Sequence, residues 1–150
     1  MNKVPLVILL ADDDEDDCLL FREVLNELSI NSKFHTVPSG DELMKYLNET
    51  KELPDVLFLD LNMPTLNGQD CLKAIRRQDS LNNLIVIIYS TSYDIDVAIR
   101  LQEIGADFYI RKPPEFTALK SVIHRALLLI KNEKGISSRH VAEHYILNEE

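Results

Sequence analysis

The sequence predicts an α/β fold, a parallel sheet with helices on both faces. Three observations carry that expectation. Short apolar runs of strand length alternate with longer segments whose apolar residues recur at helical spacing. The first run is apolar throughout, as in strands buried on both faces. Aspartates, a hydroxyl pair and a lysine follow the ends of the runs, and open parallel sheets bind their ligands at strand carboxyl ends.

Leu6 to Ala11 form the first strand. Leu20, Val24 and Leu28, with Phe21 and Leu25 beside them, mark the buried face of the first helix. "KFHTV" is a short second strand, with Phe34 and Thr36 on one face and His35 and Val37 on the other. "PSGDELMKYL" reads as a helix capped by Ser39, with Glu42 completing a capping box. "VLFL" is the third strand, and "LNMPTLNG" a loop punctuated by Pro64 and Gly68. The helix after it runs to about Arg77 with Cys71, Leu72 and Ile75 inward. "LIVIIY", rich in β-branched residues, is the fourth strand. A helix from about Asp94 carries Val97, Leu101 and Ile104 and stops at Gly105. "DFYI" is the fifth strand. The last helix starts near Pro114 and shows Leu119, Val122, Ile123, Ala126, Leu127 and Ile130 on one stripe. Five strands alternating with five helices make a doubly wound (βα)5 sheet. Beyond Lys131 the stripe breaks down, which divides the chain into a domain at 1–131 and a tail at 132–150, disordered or partly helical.

Composition narrows the function classes. With 150 residues and 45% apolar content, the chain is long enough for one well-formed core. A net charge of −9 argues against nucleic-acid and anionic-membrane partners, which call for basic patches. Cys18 and Cys71 form no metal-binding pair and no disulfide framework. With neither a secretory signal nor a membrane-spanning apolar stretch, the expectation is a soluble cytoplasmic protein.

On the predicted sheet, Asp12 and Asp13 follow the first strand, Asp60 the third, Ser90 and Thr91 the fourth, and Lys112 the fifth. Neighbouring strands would gather them on one rim. Two carboxylates ~4 Å apart repel by about 4 kcal/mol at an effective dielectric of ~20. Such a cluster calls for a cation or protons, and a hard divalent ion, Mg2+ above all with Mn2+ possible, is the natural partner. A carboxylate there can also act as a nucleophile toward phosphorus, helped by the cation, a hydroxyl and an ammonium.

"VILLADDDEDD", "VLFLDLNMPTLNG", "VIIYSTS" and "GADFYIRKP", in this order and spacing, resemble the receiver domain of two-component response regulators over about residues 4 to 130. The resemblance implies a flavodoxin-like sheet of order 2-1-3-4-5. It implies that Asp60 accepts a phosphoryl group from a sensor histidine kinase or phosphotransfer protein. Asp12, Asp13, Asp60 and the backbone carbonyl of Asn62 would hold the metal, and Lys112 would pair with the phosphate. Ser90 and Tyr109 would be the switch pair, with Thr91 and Ser92 tuning phosphorylation kinetics. A cis bond between Lys112 and Pro113 is implied as well. Two departures stand out. Thr91 occupies a place that is usually small, and "KPP" replaces the commoner Lys-Pro-Phe.

Other readings weigh less. Asp12, Asp14, Asp16 and Glu23 have calcium-loop spacing, but Asp17 stands where that loop requires glycine. Asp14 to Asp17 read mainly as a solvated helix start that suits the macrodipole. His140 to His144 spell H-x-x-E-H, with too little chain after them for a further ligand, so a solvated turn is the better reading. The functional expectation is a stand-alone switch acting on an unknown downstream protein as a monomer or homodimer. It is not an enzyme on external substrates, since the residues after Lys131 leave no room for an output module. The rival readings are a phosphorylation-independent interaction module and a metal-dependent phosphohydrolase.

Overall fold

The computed structural model describes residues 4–133 and 145–147. The elements in order are β1 (Leu6–Ala11), α1 (Glu15–Leu28), β2 (Ser32–Val37), α2 (Gly40–Glu49), β3 (Val56–Leu59) and α3 (Gly68–Arg76). After a 3-10 turn at Asp79–Leu81 come β4 (Ile85–Ser90), α4 (Ile95–Ile104), β5 (Phe108–Arg111), α5 (Phe116–Glu133) and β6 (Ile146–Leu147). All neighbouring strands pair in parallel, in the order β2-β1-β3-β4-β5-β6.

Because side chains alternate along a strand, each central strand feeds two cores. Ile8, Leu10, Phe58, Ile87 and Ile110 pack against α1 and α5, meeting Phe21, Val24, Val122 and Ile123. Leu9, Leu57, Leu59, Val86 and Ile88 face the other way, toward Leu43, Leu72, Ile75, Ala98 and Leu101 of α2, α3 and α4. The predicted architecture holds, and the predicted inward stripe of α5 is buried throughout. The first helix differs in phase. Asp14 caps it, so it begins at Glu15, and the buried positions are Phe21, Val24 and Leu25 while Leu20 stays 40% exposed. Leu20 lies about 100° around the helix from Phe21, the ring that meets Phe58 and Tyr89 edge-on.

Two expectations are corrected. No peptide bond among the described residues is cis, so Lys112–Pro113 is trans, the isomer favoured by about 0.5–1 kcal/mol before proline. And the sheet has a sixth strand rather than ending at β5. Within the tail, the Tyr109 amide donates to the Tyr145 carbonyl at 2.8 Å, and Ile146 and Leu147 register with Tyr109 and Ile110. An uncovered β5 would present unpaired backbone groups at the sheet edge, and this short strand covers them. Tyr145 is buried on the α4 side and Leu147 on the α5 side, which anchors the strand through both cores. His140 to His144 lie outside the described residues.

The Tyr145 hydroxyl is buried without a hydrogen-bond partner among the described residues, while its ring lies 6.4 Å from that of Tyr109. Ring burial therefore stabilises the strand, and no bond among the described residues adds to this through the hydroxyl. In urea unfolding, Tyr145→Ala is expected to cost about 2–4 kcal/mol. Tyr145→Phe should be neutral or stabilising by up to about 1 kcal/mol. A large loss in the phenylalanine variant would show that the hydroxyl has a partner after all.

Candidate functional site

The register of the central strands builds the site. Ala11 pairs with Leu59, and Leu59 with Ile88, so the carboxyl ends of β1, β3 and β4 lie side by side. The ladder continues one residue past the strands. The Asp60 amide donates to the Ala11 carbonyl at 3.0 Å, Asp12 to Val37 at 3.0 Å, and Lys112 to Ser90 at 2.8 Å. The backbones that carry Asp12, Asp60 and Lys112 are thus held as rigidly as the sheet itself.

Carboxylate oxygens of Asp12, Asp13 and Asp60 lie within 4.8 Å of one another. Asp12 and Asp60 are buried and Asp13 is exposed, so the cluster opens to solvent on one side. The Lys112 ammonium stands 2.7 Å from Asp12, 2.8 Å from Asp17 and 3.9 Å from Asp60. It also lies 4.8 Å over the Tyr89 ring, a cation–π contact beneath the site. The Asn62 amide donates to Asp60 Oδ1 at 3.3 Å. Gly68 closes the loop after β3, its amide bonding to the Leu61 carbonyl at 2.9 Å. A side chain at Gly68 would collide with the Asp60 backbone carbonyl, which is why glycine stands there.

Burial raises Asp60 to about 6, since desolvation and the Asp12 charge outweigh the help of Lys112. Asp12 is also raised by burial, against hydrogen bonds from Lys112 and the Asp14 amide. For Lys112, burial pulls downward, but hydrogen bonds to Asp12 and Asp17 win and the net shift is upward. One ammonium does not satisfy this many carboxylates. The donor set of three carboxylates opening to solvent suits a hard divalent cation, which keeps several waters.

Ser90 is fully buried; its Oγ accepts from the Ser92 amide at 3.2 Å and lies 3.1 Å from Ser92 Oγ. The buried Tyr109 donates its hydroxyl to the Ser92 carbonyl at 2.6 Å. Ser90, Ser92 and Tyr109 therefore form one connected chain from the rim to β5, while Thr91 is exposed beside it. One residue was misread from sequence. Asp17 starts the helix as expected, but its carboxylate is a partner of Lys112 rather than solvated. It sits at the third helical position of α1, where side chains lean back toward the helix N-terminus and hence toward the strand ends. That position sets which way the side chain leans, but the partner it meets is 95 residues further along the chain.

A family model described as the response regulator receiver domain matches residues 8–124. The chain belongs to the response regulator receiver family. Response regulator Rcp1 of Synechocystis is 30% identical over 113 residues, covering 72% of this chain and 77% of Rcp1. The crystal structure of the phosphorylated cyanobacterial phytochrome response regulator RcpA superposes with a TM-score of 0.82 at 25% identity, covering 90% of this chain and 100% of that one. The Mn2+-bound form of Rcp1 superposes with a TM-score of 0.69 at 24% identity, covering 87% and 93%, a likeness of fold. The receiver also spans about half the length of some longer relatives. Among its described residues no helix is long and apolar enough to cross a membrane.

The receiver's raised Asp60 has a measurable consequence. A carboxyl with a folded-state value near 6 and an ordinary value of 3.8 favours folding below pH 4, and that advantage is lost as pH rises through 6. In EDTA, Asp60→Asn is therefore expected to be more stable than wild type at pH 7.5, by about 3 kcal/mol. The gap should close as pH falls toward 4. Thermal and urea unfolding at both pH values test this, and a pH-independent gap would contradict the burial origin.

Proposed function

We propose that this receiver is an Mg2+-dependent phosphorylation switch, with Asp60 as the phosphoacceptor for a sensor histidine kinase or phosphotransfer protein. The observation that carries the reading is the convergence of Asp12, Asp13 and Asp60 on one lysine at the strand ends. Asp12, Asp13, Asp60 and the Asn62 carbonyl would hold Mg2+, or Mn2+ in its place. A bound cation would neutralise charge on the phosphoryl oxygens during transfer. The phosphorylated form of RcpA and the Mn2+-bound form of Rcp1, itself 30% identical to this chain, support the same chemistry.

At neutral pH Asp60 is mostly ionised, as a nucleophile must be. One of its carboxylate oxygens attacks phosphorus, an O–P bond forms, and the N–P bond of the donor phosphohistidine breaks. The bonding pair stays on the imidazole. Lys112, 3.9 Å from Asp60, is placed to bind a phosphoryl oxygen. A phosphoryl group on Asp60 would compete with Ser92 for the Ser90 hydroxyl proton. Since Tyr109 donates to the Ser92 carbonyl, a change at Ser90 is felt at β5. Phosphorylation would in this way bias the surface formed by α4, β5 and α5, read by a downstream protein in the cytoplasm. The protein would act on no external substrate and no nucleic acid. Ser92, within this chain, and the exposed Thr91 beside it would set how fast the phosphoryl group enters and leaves.

Incubation with acetyl phosphate and Mg2+, followed by intact-mass measurement, tests the reading. Wild type should gain one phosphoryl group and Asp60→Asn none, and EDTA should abolish the gain. Equal labelling of the two proteins would overturn the assignment of Asp60.

A further inference from the structure

Lys112 has more partners than the proposed switch requires. Two of them, Asp12 and Asp60, belong to the carboxylate cluster, and the third, Asp17, comes from the first turn of α1. The ammonium is nearly equidistant from Asp12 and Asp17, at 2.7 and 2.8 Å, and stands off Asp60 at 3.9 Å. Asp17 is not a member of the cluster that could hold a cation. Its side chain is 27% exposed, whereas that of Lys112 is 7% exposed, so the lysine is buried and Asp17 is the partner at its solvent side.

We propose that Asp17 is a positioning residue for Lys112, holding the ammonium on the α1 side of the cluster until a phosphoryl group on Asp60 takes it over. This rests on the phosphoacceptor reading of Asp60. Ammonium and cation compete for the same carboxylates. A lysine drawn toward Asp17 leaves Asp60 and the outer oxygens of the cluster to the cation. Without Asp17, the ammonium settles further onto Asp12 and Asp60 and opposes cation binding directly. In the phosphorylated protein the balance reverses, because Asp17 then competes with the phosphoryl oxygens for the same ammonium. The residue thus favours cation loading before transfer and weakens the lysine's hold on phosphate.

Two readouts separate this role from plain loss of one negative charge. Asp16→Asn removes the same charge one residue away without touching Lys112, and Asp17→Glu keeps the charge. Mn2+ binding, followed by electron paramagnetic resonance of the free ion, should weaken roughly fivefold in Asp17→Asn. It should weaken less than about twofold in Asp16→Asn, where only screened charge is lost. At saturating Mg2+, the acetyl phosphate concentration for half-maximal labelling should fall roughly fivefold in Asp17→Asn alone. Asp17→Glu should restore both values. Equal behaviour of the two asparagine variants in either readout overturns the proposal. If wild type binds Mn2+ yet is never labelled, the phosphoacceptor reading fails, and the Mn2+ comparison still decides whether Asp17 positions the lysine. A wild type that binds no Mn2+ overturns both.

Discussion

A buried ammonium surrounded by carboxylates is the constraint on which the rest of the structure turns. Lys112 touches Asp12 and Asp17 and approaches Asp60, all beside a ring face of Tyr89. Burying such charges costs several kcal/mol per ion, and the mutual attraction offsets that cost only when geometry is tight. The geometry is tight because the backbones of Asp12, Asp60 and Lys112 each bond to the neighbouring strand. Any slip of one residue would turn a carboxylate toward a core of leucine and isoleucine. The sheet register and the charge cluster therefore specify each other.

The offset is incomplete, and the residue of strain is chemical rather than steric. Asp60 stays raised to about 6 by burial and by the neighbouring Asp12 charge. A site left with excess negative charge binds a cation readily and gains from it. The same excess would resist an incoming phosphate in the cation's absence. The charges on the rim alone thus favour cation dependence of the proposed transfer.

Ser90, Ser92 and Tyr109 link that rim to the edge of the sheet. Tyr109 donates through its hydroxyl to Ser92 and through its amide to Tyr145, so one residue joins the candidate site to the strand formed by the tail. Tyr145 in turn packs its ring against Tyr109. The three residues give the proposed switch a route to β6 as well as to α4 and α5.

Much of this was legible without coordinates. Unbroken apolar runs such as Leu6 to Ala11 declare buried strands, since only burial on both faces tolerates them. The polar residues that end those runs, Asp12, Asp60, Ser90 and Lys112, are the ones the sheet brings to its rim. Position in a strand is a local property, so one sequence suffices to assign it. Asp17 and Tyr145 were not legible in this way. Each acquires its place from a partner far along the chain, Lys112 for one and Tyr109 for the other. By pattern alone Asp17 is an acid in a helix start, and Tyr145 belongs to a tail. The phase of α1 was likewise settled by where Phe21 meets Phe58 and Tyr89. The sequence by itself determined the first five strands, the rim and the family; the tertiary structure decided which acid holds the lysine and what covers β5, because those are contacts between segments that no local pattern encodes.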